Sequence, residues 1–437
     1  MSVDYTLVAA LRAEVAGRLH EEMTARQLAG SPATAEEERA LAAALIRGAL
    51  VARAMSSLQS GDRPLSPQEE AGYLEAVDAL IYGSGRIQQY LLMEDLDNVI
   101  IHGADLAVLE FADGRVEFAP SPYSTSEELI EEVRTLAARR SRAARRFDRG
   151  HPRLDLRLPE GSRLTAVMGV VDRPVIVLRR HRFVDLSLAD LVALGTMDER
   201  LAAFFTAAVP ARLNMLVAGK TNVGKTTALR ALLSLCPPTE HLVTVETSHE
   251  LDLHRLARHP HVTPMEAQEA NTEDEGAFTV EELVLWSLRL NPDRMVVGEC
   301  LGPEAVPMLN AMASGATGSM TTLHAKSSAA VPRRLASYVS QAPRPMPPRW
   351  VADTIADGLD LIVFLDFARE VDGRRRRVVA SVREVLGAAD EQVLTRELFT
   401  PGPEGLGVPT GEVPDRAEDL EACGFDLALL RVDPALR

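Results

Sequence analysis

The chain has 437 residues, 46% hydrophobic and 25% charged, a globular composition too long for one ordinary core, so two or three domains are expected. A net charge of −16 and an aromatic content of only 4% argue against nonspecific nucleic-acid binding and base-stacking platforms, and no direct nucleic-acid partner is expected. Three scattered cysteines, Cys236, Cys300 and Cys423, lack metal-ligand spacing and suit a reducing cytoplasm, and the sequence predicts neither a signal peptide nor a membrane span.

Residues 1–68 are rich in Ala, Leu, Glu and Arg with helical periodicity, notably in ERALAAALIRGALVARAMSSL, and GDRPLSP from Gly61 ends that pattern. A helical N-terminal extension is predicted. Residues 69–183 read as a small α+β domain. It holds a helix over 70–82, strand-like NVIIHG and LAVLEFADGRVEF with a turn at 112–114, a helix over 126–146, and strand-like LDLRLPEGSRLTAVMG and PVIVLRRH. Residues 184–196 are expected to be a linker. From 197 onward, the apolar strands HLVTVET, RMVVGE and LIVFLDF alternate with helical segments, the pattern of a parallel sheet covered on both faces. Residues 401–417 are rich in Pro and Gly and read as a loop before a short helical tail.

The informative stretch is MLVAGKTNVGKTTALRALL, residues 215–233. A strand over 213–217 and a helix over 227–235 flank the loop Gly219, Lys220, Thr221, Asn222, Val223, Gly224, Lys225, Thr226 and Thr227, whose spacing is G-x-x-x-x-G-K-[ST]. Two glycines open a turn whose amides converge on phosphates, Lys225 neutralises their charge, and Thr226 reaches Mg²⁺. Only three of the 47 basic residues are lysines, Lys220, Lys225 and Lys326. Two of them lie in this loop, where a compact point charge and a guanidinium are not interchangeable. Lys220 also reads as a solvated loop residue.

A phosphate loop leaves the reaction undefined. The strand in NPDRMVVGE delivers Glu299 to a strand end, where catalytic groups of open α/β sheets lie; there a carboxylate orients or deprotonates the attacking water and helps hold hydrated Mg²⁺. VTVETSHE places Glu246 and Glu250 past another apolar strand, and GSMTTLHA places His324 after a Gly/Ser/Thr-rich turn.

GKTNVGKT, VTVET…E, NPDRMVVGE and GSMTTLHA, in this order, resemble the Walker A, Asp box, Walker B and His box of the type II/type IV secretion ATPase superfamily. YGSGRIQQYLLMEDLDNVIIHG, LRLPEGSRLTAVM and VIVLRR resemble that family's N-terminal domain, and DGLDLIVFLDFAREVDGRRRRVVASVREVLG its C-terminal part. The resemblance covers roughly residues 70–430 and is nearest to the CpaF/Tad subfamily, which powers Flp-type pilus assembly. It implies a RecA-like P-loop domain behind the α+β domain, ATP and Mg²⁺ as cofactors, a homo-oligomeric and usually hexameric ring, and an inner-membrane platform partner. By resemblance, Lys225 and Thr226 are the phosphate and Mg²⁺ residues, Glu299 the catalytic Walker B glutamate, Glu246 and Glu250 the acidic positions, and His324 the His-box histidine. Arg163 and Arg179 match arginines that reach the nucleotide from the N-terminal domain.

Three positions depart from the family pattern: Leu301 and Gln268 stand where it usually has arginine, and Thr247 where it commonly has aspartate. They leave open a nucleotide-binding scaffold with little hydrolysis, beside a conjugation or type IV secretion ATPase and a nucleic-acid motor. The arginine-rich stretch 135–157 reads as a solvated or subunit-facing helix, the acidic stretch 266–282 as an exposed loop, and the arginines at 374–377 as a solvated hairpin turn.

Overall fold

The computed structural model describes residues 3–432 apart from 32, 62, 94, 112, 141–145, 159–160, 181–184, 269, 271–274, 343–345 and 369–375. The chain forms two compact units, Met1–Arg182 and Phe183–Arg437.

The first unit opens with α1 (Tyr5–Leu28), α2 (Ala35–Ser60) and α3 (Pro67–Ile81). Asp4, Thr34 and Ser66 cap the three starts by accepting from backbone amides, and Glu37 and Glu69 complete capping boxes on α2 and α3. Val8, Leu11 and Val15, Ile46 and Leu50, and Tyr73 and Val77 bring the three helices into one apolar cluster. Thus α3, grouped with the sheet by sequence, packs on the helical extension. By length and composition alone α2 could cross a bilayer, and its Ile46, Ala49 and Leu50 pack against α1 and α3.

After α4 (Gln88–Leu91) come β1 (Leu96–His102), β2 (Leu106–Phe111), β3 (Val116–Pro120), α5 (Ser126–Arg140), β4 (Arg153–Arg157), β5 (Arg163–Val167) and β6 (Val175–Arg179). The strands form a sheet of order β3-β2-β1-β6-β5-β4, antiparallel at each pairing. Alternation along the strands points Val99, Ile101, Leu164 and Ile176 toward Leu129, Val133 and Leu136 of α5. Part of the arginine-rich stretch, 141–145, lies outside the described residues.

The second unit contains α6 (Leu188–Ala193), α7 (Glu199–Ala208), β7 (Met215–Gly219), α8 (Lys225–Leu233), β8 (Leu242–Glu246), β9 (Val262–Glu266), α9 (Val280–Ser287), β10 (Arg294–Val297), α10 (Ala305–Ala313), β11 (Met320–His324), α11 (Val331–Val339), α12 (Pro348–Gly358), β12 (Leu361–Phe367), β13 (Arg377–Ala389), β14 (Gln392–Pro401), β15 (Gly407–Pro409) and α13 (Ala417–Ala422). Its sheet has the order β15-β14-β13-β12-β7-β11-β10-β8-β9. The part from β12 to β9 is parallel. The part from β12 to β15 is antiparallel. The three strands read as parallel from the sequence, HLVTVET, RMVVGE and LIVFLDF, lie in the parallel part as β8, β10 and β12. Of the arginines expected in a hairpin turn at 374–377, 374 and 375 lie outside the described residues, as do 369–373, and Arg377 opens β13. β15 lies within the stretch expected to be loop and pairs with β14.

Helices cover both faces of the parallel part. Met215 and Val217 face a core shared with α7 and α8, and Leu216 and Ala218 a core shared with α9 to α12. The expected linker contributes Leu188 and Leu191 to the first of these cores. β11 stands between β7, which enters the phosphate loop, and β10, which leads to Glu299. This is a RecA-like α/β arrangement, and it places the loops after β7, β11, β10 and β8 at one edge.

In the first unit Glu132 of α5 is buried beside Arg86. It accepts from the Tyr123 hydroxyl and the Arg86 backbone N–H, each at 2.8 Å. Gly85, at φ +67°, leaves it room, since a Cβ there would lie 2.5 Å from its carboxylate. Burial pushes the Glu132 carboxyl up to about 7 from an ordinary 4.5, so the fold favours its protonated form. The resulting stability is fully present below about pH 4.5 and is lost as pH rises through about 7. Urea unfolding across that window is expected to give a wild-type stability that falls relative to Glu132→Gln by about 3 kcal/mol. A flat difference would contradict the assignment.

Candidate functional site

Strand register assembles the site. Gly219, at the end of β7, pairs with His324 at the end of β11 and with Leu365 of β12. Val297, at the end of β10, pairs with Thr321 on one side and Val245 on the other. The loop from Gly219, His324, the Gly298-Glu299 pair and Glu246 therefore succeed one another along the carboxyl edge, where ligands of open α/β sheets bind.

The strand of the loop runs two residues beyond the sequence reading, and its helix starts two residues earlier, at Lys225. The reason is local. Gly224 sits at φ +91° in the left-handed region and acts as the helix N-cap, so Lys225 and Thr226 belong to the first turn. That turn has no side-chain cap and no acidic residue, which leaves its amides and the positive end of the helix to an anion. Asn222 adopts φ +62°, a conformation asparagine tolerates better than most residues. Val223 is buried. Thr221, beside these residues in the loop, is exposed, and Thr227 lies in the first turn of α8.

Lys225 is only 8% exposed. Its Nζ donates to the Lys220 carbonyl and lies 3.3 Å from both ring nitrogens of His324. His324 Nε2 is in turn 2.8 Å from Glu299 Oε1. The approach is not aligned for hydrogen bonding, and this buried carboxylate oxygen has no hydrogen-bond partner among the described residues. On the other side, Thr226 Oγ1 donates to Glu250 Oε2 at 3.4 Å. A helix start without a side-chain cap, a buried lysine, a hydroxyl beside a carboxylate and an unsatisfied acidic oxygen fit a phosphate chain with Mg²⁺.

Glu246 behaves differently from the other acids. It is 3% exposed, and its Oε1 accepts from the amides of Glu250 and Leu251 at 2.8 and 2.9 Å. It shapes the turn that presents Glu250. Lys220 also departs from the phosphate ligands, since its ammonium pairs with Asp366 at 2.9 Å. Arg163 and Arg179 lie in the first unit as direct cross-strand partners on β5 and β6, which puts both side chains on one sheet face.

Of the positions that depart from the family pattern, Leu301 and Thr247 are exposed, and Gln268 exchanges backbone hydrogen bonds with Phe278. Within the acidic stretch 266–282, residues 269 and 271–274 lie outside the described part. Sequence reasoning passed over Thr322, whose hydroxyl donates to the Gly298 carbonyl at 2.7 Å, and Glu304, whose carboxylate accepts from the amides of Leu301 and Gly302. These two fix the chain on both sides of Glu299. An acid five residues past a strand-end glutamate was the available signal for Glu304.

Gly298 is required by contact. A Cβ there would lie 2.8 Å from Glu246 Cγ, inside van der Waals distance. Gly298→Ala is expected to displace Glu246, destabilise the second unit by about 1–3 kcal/mol and weaken Mg·ATP binding, as read by thermal unfolding with and without nucleotide. An unchanged melting temperature and nucleotide shift would contradict this role for the Glu246 turn.

Residues 83–395 match the family model described as type II/IV secretion system protein. The chain is 34% identical over 284 residues to the Mycobacterium tuberculosis protein named "Putative conjugal transfer protein", spanning 62% of this chain and 77% of that one. Against the type IV secretion system protein PtlH of Bordetella pertussis the identity is 36% over 181 residues, 40% of this chain and 51% of PtlH. Among solved structures, the ATPase DotB of Legionella pneumophila aligns with a TM-score of 0.49 at 18% identity, over 71% of this chain and 80% of that one. On the family-model match over residues 83–395, the chain belongs to the type II/IV secretion system protein family.

Proposed function

We propose that the chain is a cytoplasmic ATPase that hydrolyses Mg·ATP to drive transport or assembly through a machine in the cytoplasmic membrane. The observation that carries this reading is the unsatisfied Oε1 of Glu299 beside His324 and Lys225 at the phosphate loop. In this reading the loop amides and Lys225 bind the phosphates, Thr226 and Glu299 hold the metal with Glu250 nearby, and Glu299 orients water for in-line attack and accepts its proton. Mg²⁺, when bound, offsets the charge of the phosphate oxygens. His324 keeps the Glu299 carboxylate in place. Arg163 and Arg179 supply further positive charge to the nucleotide, from the same or a neighbouring subunit of a homo-oligomeric ring, six-membered by family resemblance.

The relatives named for conjugal transfer and type IV secretion favour a conjugation or type IV secretion machine. The Flp-type pilus reading rests on the nearness of the resemblance over roughly residues 70–430 to the CpaF/Tad subfamily and stands second. In both, the partner is a membrane platform protein.

Purified protein is expected to hydrolyse ATP from a ring-sized particle in light scattering. Glu299→Gln is expected to lower turnover at least about 100-fold while keeping nucleotide affinity within a few-fold, and Lys225→Ala to lose binding. ATP binding by a confirmed ring with Mg²⁺ but without turnover would replace the motor with a scaffold. Strong stimulation by DNA would favour the nucleic-acid motor.

A further inference from the structure

We propose that the β12–β13 hairpin is a clamp that sets the shape of the phosphate loop, with Lys220, Asp366 and Arg377 as positioning residues; the proposal rests on reading that loop as the ATP site. Lys220 Nζ lies 2.9 and 3.1 Å from the two carboxylate oxygens of Asp366, near the end of β12. Arg377, the first residue of β13, donates from Nε to the Asn222 carbonyl at 3.0 Å. Asp366 and Arg377 belong to adjacent rungs of the hairpin, where Asp366 pairs with Val378 and Phe367 with Arg377. Both grips therefore come from one rigid piece of sheet.

The same hairpin packs against the loop at two glycines. A Cβ on Gly219 would lie 2.7 Å from the Leu365 carbonyl oxygen, and one on Gly224 would lie 3.4 Å from Arg377 Cδ. Gly224 adopts its φ of +91° without cost, whereas Asn222, at φ +62°, holds a left-handed conformation that is less populated by a non-glycine residue, and it is Asn222 whose carbonyl Arg377 grips. The clamp provides that contact before nucleotide arrives, so less backbone freedom is lost on binding. It also divides the labour of the two lysines, since Lys225 faces the phosphate site and Lys220 faces a carboxylate.

Two measurements on the full chain test this. In nucleotide-free protein, Lys220→Ala and Asp366→Ala are each expected to raise hydrogen–deuterium exchange of the amides of 220–224 several-fold. With a non-hydrolysed Mg·ATP analogue, each variant is expected to bind about three- to fivefold more weakly, the size suited to a partly exposed pair, with kcat for ATP within about twofold of wild type. The double variant is expected to be no weaker than either single one, and the exchanged pair Lys220→Asp with Asp366→Lys to regain affinity. Arg377→Ala is expected to loosen the same amides. Unchanged exchange in all these variants overturns the clamp whether or not the protein binds ATP. Additive losses in the double variant, or a tenfold drop in kcat from Lys220→Ala with Asp366→Ala silent, also overturn it, because Lys220 would then act on the nucleotide directly. Changed exchange in a chain that binds no ATP would support the clamp and defeat the ATP reading.

Discussion

The site depends on the parallel register of β7, β11, β10 and β8. Because these strands run the same way and end nearly level, residues far apart in sequence emerge at one edge in a fixed order: phosphate loop, histidine, glutamate, acidic turn. A one-residue slip of β10 would send Glu299 to the opposite face of the sheet. The buried alternation of β10, with Met295 and Val297 packed one way and Val296 the other, resists that slip, so hydrophobic packing fixes the polar geometry.

Small residues convert this register into chemistry. Gly219 lets β12 approach the start of the loop, Gly298 makes room for Glu246, and Gly224 turns the chain into α8. Glu246 in turn uses one oxygen to hold two amides of the next turn. The result is a contrast between acids: Glu246 is hydrogen-bonded and structural, whereas Glu299 keeps a buried oxygen without such a bond among the described residues. A carboxylate left in that state is poised for a substrate, a water or a metal.

The phosphate loop and Glu299 were legible in the sequence because their information is local: spacing, a preceding apolar strand and a following helix. Glu246 was legible as an acid at a strand end, but its bonding depends on the fold of the following turn, which no spacing rule supplies. Lys220 was harder still, since its partner Asp366 is 146 residues away and Asn222 meets Arg377 across 155. The pairing of β15 with β14 escaped for a related reason: a three-residue strand inside a Pro- and Gly-rich stretch is revealed only by its partner. The helical pattern of α3 was clear in the sequence, while the surface it buries on α1 and α2 lies on residues more than 20 positions upstream and could not be read from it.

The most direct test of the account is a high-resolution structure of the protein with Mg²⁺ and a non-hydrolysed ATP analogue. The account predicts the phosphate chain on the amides of residues 222–226, Lys225 drawn from the His324 ring onto the phosphates, and Glu299 facing the terminal phosphate. A nucleotide bound elsewhere, or a terminal phosphate facing away from Glu299 and His324, would contradict it.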